Sequence, residues 1–311
     1  MMRVSVVIPC YNVADYVADA VASALAQTYA DLEVICIDDG STDDTLDVLR
    51  ALEREGASRL RVLTGANRGA SAARNRGLGE ATGVYVQFLD ADDLLHPAKI
   101  AHQVGLVTAA PAPPAFVAGS WVRRLPTDKE VPIGVDTTDP WVALLKTRLG
   151  NTVSNLWNTA AVKAAGGWDE GRESSQEADL MFRMLQRDDT AVVYDERALT
   201  TVRVRRGSIS TSNRHSNWKR YIQLRLFMLK YLQRAKKLTE ARESAAYQSI
   251  FSAIRSLYRL DAREACQLHA AILPRHFRPQ PSSSNTRTYV WFYKVLGFRL
   301  AEVMRAFIKK G

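Results

Sequence analysis

The chain has 311 residues, 42 Lys+Arg against 33 Asp+Glu, a net charge of +9 and 47% hydrophobic residues. That length and apolar fraction suffice for a buried core and exclude a disordered tail or a fibrous repeat. The charge is unevenly divided: residues 1–200 carry 19 basic and 28 acidic side chains, and residues 201–311 carry 23 and 5, which predicts two regions with different tasks.

Met1-Met2-Arg3 runs directly into Val4–Ile8, an apolar run too short for the core of a secretory signal and long enough for a strand. Asp15–Gln27 follows as a helix, with Val17, Val21, Ala24 and Leu25 on one side. Leu32–Ile37 reads as a second strand, and Ser41 or Thr42 is placed to cap a helix running to about Glu55. Leu60–Leu63 and Val84–Leu89 read as strands on either side of a Gly/Ala-rich helix near Ser71–Ala81. Such alternation of strands and helices predicts an α/β fold, with a mostly parallel, Rossmann-like sheet covered by helices on both faces. Ile100–Val122 is uncharged and about as long as a membrane span, but Pro111, Pro113 and Pro114 divide it into helix, loop and the start of a strand, Phe116–Leu125. Glu177–Gln186 reads as a helix, and Ala191–Tyr194 and Leu199–Val204 as strands. From about residue 213 onward the chain reads as a helical appendage, with segments near Trp218–Lys237, Glu240–Tyr258 and Tyr289–Lys310 and a Pro/Ser-rich break at Pro274–Ser284. The expected domains are therefore 1–212 and 213–311. Cys10, Cys36 and Cys266 are odd in number and widely spaced, and are expected as free thiols, the first two buried; the expected compartment is the cytoplasm.

Three expected strand ends carry polar clusters: Pro9-Cys10-Tyr11-Asn12, Asp38-Asp39-Gly40-Ser41 and Asp90-Ala91-Asp92-Asp93. In open α/β sheets ligands bind beyond the carboxyl ends of the strands, so these clusters mark a site. Three carboxylates in four residues repel one another unless a cation or hydrogen-bond donors neutralise them, and Mg²⁺ or Mn²⁺ takes carboxylate and phosphate oxygens. A solvated, helix-capping loop is the alternative for residues 90–93. An ordinary strand-to-helix turn accounts for Gly40 and Ser41 but not for two successive carboxylates, which also suit a nucleobase or ribose. Asn67-Arg68-Gly69 and Ala73-Arg74-Asn75 supply the basic counterpart, with Arg74 on the helix that opens after Gly69. Neither a dinucleotide-binding nor a phosphate-loop glycine pattern occurs, which weighs against a dehydrogenase or an ATPase.

Together with Gly166-Gly167-Trp168-Asp169-Glu170 and Gln176-Glu177-Ala178-Asp179-Leu180, these motifs stand in the order found in family 2 glycosyltransferases of the GT-A fold, which residues 3–212 resemble. The resemblance implies a nucleoside diphosphate sugar donor, a UDP-sugar favoured, and a glycan or lipid-linked acceptor. It implies donor contacts at Pro9, Tyr11, Asn12, Asp38, Asp39, Asn67, Arg74, Asp90 and Asp92, with a divalent metal, Mn or Mg, held by Asp92 and Asp90. Trp168 and Asp169 fall on the acceptor side. Glu177 matches the position of the catalytic base, with Asp179 the runner-up, and the implied transfer is inverting. Arg205 and Arg206 replace a His-Pro common in the family, so Arg205 is expected against the donor's phosphates. The rival readings are a metal-dependent nucleotidyltransferase, which would release pyrophosphate, and a non-catalytic nucleotide or glycan binding module. The basic, aromatic-rich residues 214–311 suit either an anionic membrane surface on the inner face of the cell membrane or packing on the catalytic part. No nucleic-acid motif accompanies them, and no nucleic-acid partner is expected.

Overall fold

The computed structural model describes residues 2–55, 59–187, 190–204, 213–282 and 285–308. The chain divides into two compact units, Met1–Ser208 and Ile209–Gly311. The boundary expected at 212/213 lies outside the described residues, as do Arg205 and Arg206.

In the first unit β1 (Val4–Cys10), β2 (Leu32–Asp38), β3 (Leu60–Thr64) and β4 (Tyr85–Phe88) are parallel, in the spatial order β4-β1-β2-β3. These strands are nearly continuous apolar runs because both faces of the sheet are covered. Val4, Val6 and Ile8 pack with Val17, Val21 and Ala24 of helix α1 (Ala14–Leu25), Leu49 of α2 (Thr45–Arg54) and Ile100 and Val104 of α4 (Lys99–Ala109). On the opposite face Ile35 and Ile37 pack with Ala73 of α3 (Ala70–Glu80). The Gly/Ala-rich character of α3 has a steric reason: a Cβ on Gly77 would lie 2.3 Å from a Val7 methyl carbon. The seven-stranded sheet is completed by β6 (Phe116–Gly119), β9 (Leu156–Asn158) and β10 (Val192–Asp195), with β9 antiparallel between β4 and β6. The chain thus builds outward from β1 in one direction through β2 and β3, and in the other through β4. The crevice beyond β1 and β4 is the topological switch point, where such sheets bind ligands.

The expected strand Phe116–Leu125 is two strands in two sheets. After β6, Ser120 hands the chain to β7 (Trp121–Arg124), which pairs antiparallel with β8 (Glu130–Ile133) and parallel with β11 (Thr200–Arg203). The second sheet has the order β5-β11-β7-β8, with β5 the short segment Leu94–Leu95 that follows the acidic cluster. The remaining helices of this unit are α5 (Pro140–Leu145), α6 (Thr159–Ala164) and α7 (Gln176–Leu185). The α2 cap also differs from expectation. The helix begins at Thr45, whose N–H donates to the Asp43 carboxylate at 3.0 Å, while the Ser41 hydroxyl accepts from Asn12 N at 3.2 Å. Cys10 and Cys36 are free and buried, and Cys266 is partly exposed.

The second unit contains α8 (Arg214–Arg234), α9 (Glu240–Tyr258), α10 (Ala262–Ile272) and α11 (Arg287–Ile308). Thr239 caps α9 and Asp261 caps α10 through side-chain oxygens that accept from Arg242 N and Glu264 N. α10 is additional to the helices expected from sequence; its amphipathic stretch leaves only Ala265 fully buried. Phe251 sits at the centre of an aromatic core with Phe277, Tyr289, Tyr293 and Phe298. α11 is interrupted at Gly297 (φ 75°), a left-handed conformation that favours glycine. Among the described residues no helix is long and apolar enough to cross a membrane.

Candidate functional site

The three polar strand ends meet at the switch point, and their side chains divide into those that build the site and those that remain exposed in it. Asn12, at the end of β1, has φ 51° and uses its carboxamide oxygen to accept from Thr42 N at 2.8 Å. It therefore joins the β1 end to the loop after β2. Asp38 is 1% exposed, and its carboxylate accepts from Ser41 N at 3.2 Å and from the Thr64 hydroxyl at 2.8 Å. Burial and these hydrogen bonds engage both Asp38 oxygens in shaping the loop, which leaves them little reach toward the donor expected there.

Asp39 accepts from the Arg68 and Gly69 amides at 2.9 and 2.8 Å and holds the 67–69 turn against the β2 end. Gly40 (φ 71°) is needed there, because a Cβ would sit 2.8 Å from Asn67 N. Tyr11 is 47% exposed, Asn67 is exposed and Pro9 is half-buried as the last-but-one residue of β1.

Arg74 links three elements. It is 6% exposed on α3, its guanidinium donates to the Asp90 carboxylate at 2.6 Å and to Gln176 Oε1 at 3.1 Å, and it lies 4.8 Å over the Trp168 ring. The acidic loop and the start of α7, 86 positions apart in the sequence, are thereby drawn together. Glu177, in the first turn of α7, is half-buried and makes no hydrogen bond or ion pair among the described residues. Asp179 is placed differently. It is 6% exposed and clamped by Arg172 at 3.0 Å and Arg183 at 2.9 Å. Arg183 in turn donates to the carbonyls of Ala165 and Gly167, so the pair secures the turn ahead of Trp168.

Trp168 is 1% exposed, edge-on to Phe88 at 5.1 Å. Burial makes this ring a floor beneath Arg74, while Asp169 beside it, the other residue expected on the acceptor side, is exposed. Asn75 sets the height of this floor. Its Oδ1 accepts from Trp168 N and its Nδ2 donates to Trp168 O, both at 2.8 Å. Asn75→Ala is expected to lower the free energy of unfolding by about 2 kcal/mol, since two part-buried main-chain groups lose their partners. Equilibrium urea denaturation measures this, and an unchanged midpoint would count against it.

The residues of the acidic loop fit an oxygen-preferring divalent cation. Asp90 and Asp92 are half-buried, and Asp90 keeps 34% of its side chain exposed beside Arg74. Burial, followed by repulsion from Asp90 and Asp92, pushes the Asp93 carboxyl well above the usual carboxylate range. That repulsion marks excess negative charge in the loop, which a cation bound by hard oxygen ligands relieves. Arg203 anchors the loop from β11. Its N–H donates to Asp93 at 2.9 Å, and its guanidinium donates to the Asp92 carbonyl and, at 3.0 Å, to Asp19. Gln176, Asn75 and Arg203 carried no distinguishing sequence signal for these tasks; their partners lie 93 to 111 residues away in sequence.

Residues 5–152 match the model of the family described as Glycosyl transferase family 2. An uncharacterized glycosyltransferase of Escherichia coli strain K12, YibD, is 35% identical over 150 residues, which cover 46% of this chain and 43% of that protein. The chain spans less than half the length of the curated relatives it matches first. Among solved structures, S. aureus TarS 1-349 in complex with UDP-GlcNAc is 16% identical with a TM-score of 0.60, the match covering 98% of this chain and 92% of that one. The mannosyltransferase PcManGT of Pyrobaculum calidifontis, in complex with GDP-Man and Mn²⁺, is 17% identical with a TM-score of 0.59, over 100% and 88% of the two chains. The fold is that of the GT-A transferases.

Proposed function

Because residues 5–152 belong to glycosyl transferase family 2, we propose that this chain transfers a sugar from a nucleoside diphosphate sugar, a UDP-sugar favoured, to a hydroxyl of a glycan or lipid-linked acceptor in cell-surface polysaccharide synthesis. The observation that carries the reading is the Arg74 junction, which brings the acidic loop at Asp90 and the α7 start at Gln176 to one point at the sheet's switch point. The nucleotide sugars held by the similarly folded TarS and PcManGT support the donor class.

In this reading Tyr11 packs against the nucleobase, and Asp39 and Asn67 border the nucleoside at the β2 end. Asp92, with Asp90, would hold a divalent cation, Mn or Mg, which would supply charge neutralisation for the diphosphate. Glu177 takes the proton of the acceptor hydroxyl. The acceptor oxygen then bonds to the anomeric carbon from the face opposite the diphosphate, and the carbon–oxygen bond to phosphate breaks with its electron pair leaving on the phosphate oxygen. This inverts the anomeric centre through an oxocarbenium-like transition state. Trp168 and Arg74 keep the floor rigid, so the base and the departing group hold their separation during the reaction.

The second unit offers a docking surface for an anionic membrane at the cytoplasmic face. Trp291, Val295 and Leu300 on α11 are each more than half exposed, with the exposed cations Lys294 and Arg299 among them.

A thermal-shift screen of nucleoside diphosphate sugars, with and without Mn²⁺, tests the donor assignment. One UDP-sugar is expected to raise the melting temperature and then to release nucleoside diphosphate on incubation. Stabilisation by none of them, or release of pyrophosphate instead, would overturn the proposal.

A further inference from the structure

Within the helical unit, α9 and α11 contribute to a small solvent-open cleft lined by Ser252, Arg255, Ser256, Arg259 and Arg305. The first four recur at helical spacing and share one face of α9. Arg305 comes from α11.

Arg255 is the fixed element of the cleft. It is 3% exposed, its guanidinium donates to Glu302 and to Asn285 Oδ1, and it lies 3.7 Å over the Tyr289 ring. Arg305 is 3.6 Å from the same Glu302 carboxylate. Burial, with repulsion from Arg255 and Arg259, holds Arg305 below the usual arginine range. Arg259 is exposed and among the described residues has no ion-pair partner. Three guanidinium groups therefore face one described carboxylate, Glu302, which is itself 5% exposed. An excess of positive charge in a partly desolvated recess is unfavourable unless an anion fills it.

We infer that this cleft is a binding site for a phosphate group, with Arg259 and Arg305 as the adaptable contacts and Arg255 as the pre-positioned one. The planar guanidinium fork matches phosphate oxygens in paired, charge-assisted hydrogen bonds. The Ser252 and Ser256 hydroxyls donate at present to the carbonyls of Gln248 and Ser252, at 3.0 and 3.1 Å, so the arginines carry the recognition. The phosphate comes either from a small soluble anion or from a phospholipid headgroup, and the chemistry of recognition is the same for both. The site does not depend on the donor assignment, since every residue in it belongs to the second unit.

The test uses the full chain and Arg259→Gln, an exposed substitution that leaves Glu302 paired with Arg255 and Arg305. Inorganic phosphate and pyrophosphate are titrated by calorimetry. Vesicles of phosphatidylcholine alone, or with phosphatidic acid or phosphatidylserine, are tested by co-sedimentation. The expected result is that Arg259→Gln weakens phosphate binding by about tenfold or more, consistent with loss of a charge-assisted hydrogen bond, with unchanged thermal stability and unchanged response to nucleotide sugars. Binding of the soluble anions identifies a soluble ligand. Binding confined to phosphatidic acid vesicles, and lost in the variant, identifies a headgroup. Phosphate or vesicle binding that the variant leaves intact belongs elsewhere on the molecule and would overturn the proposal, as would the absence of any binding by the unsubstituted protein.

Discussion

Glu177→Gln is expected to lower turnover by about 10²- to 10⁴-fold, the usual contribution of a positioned general base, while leaving donor binding and the unfolding midpoint nearly unchanged. The substitution keeps the shape of the side chain and removes its ability to accept a proton. Glu177 makes no hydrogen bond or ion pair among the described residues, so little of the fold rests on it. Losing a carboxylate from the first turn of a helix costs about 0.3–1 kcal/mol, far less than the expected change in reaction barrier. Initial rates of nucleoside diphosphate release, paired with a urea unfolding curve, measure both quantities. Turnover equal to that of the unsubstituted chain would remove Glu177 from the mechanism.

Asp179→Asn is expected to show the opposite pattern. Its carboxylate is 9% exposed and serves both Arg172 and Arg183, whose side chains are 25% exposed. Removing one partner of a buried ion pair typically costs 3–5 kcal/mol; with the arginines partly solvated, a loss of about 2–4 kcal/mol in unfolding free energy is expected. Activity per folded molecule should fall much less than in Glu177→Gln, because Asp179 acts through Arg183 on the turn before Trp168. A variant of full stability whose turnover nevertheless collapses would make Asp179 the base. The two substitutions, two positions apart in the first turn of one helix, thus separate a chemical role from a structural one.

The sequence shows which strand ends are unusually polar, but not which of their oxygens the fold leaves available. Asp38 and Asp39 look equivalent in sequence, yet Asp38 is used up by Ser41 and Thr64, while Asp39 holds the 67–69 turn. Trp168, expected on the acceptor side, is buried among Phe88, Trp157 and Arg74, a burial that the Gly-Gly-Trp-Asp-Glu motif alone does not reveal. Arg205, which stands where the family often has histidine, lies outside the described residues. The basic tail reads as a helical region, but the convergence of Arg255, Arg259 and Arg305 on one cleft has no linear signature, since Arg259 and Arg305 stand 46 positions apart in the sequence.

By itself the sequence determined what depends on near neighbours along the chain. Apolar runs four to seven residues long, helical spacing and polar residues at strand ends follow from local backbone geometry and solvation, and they specify a doubly covered parallel sheet with its ligands at one edge. Tertiary structure decided what depends on partners distant in sequence. Phe116–Leu125 reads as one strand because its apolar pattern is continuous, and becomes two because β9 and β10 flank its first half while β8 and β11 flank its second. Likewise, a carboxylate's capacity to bind a ligand is set by which donors the fold has already placed against it. Asp179 is held by Arg172 and Arg183, while Glu177 two residues earlier has no ion-pair partner among the described residues, a difference in burial and in the reach of side chains folded in from elsewhere that composition and helical spacing do not reveal.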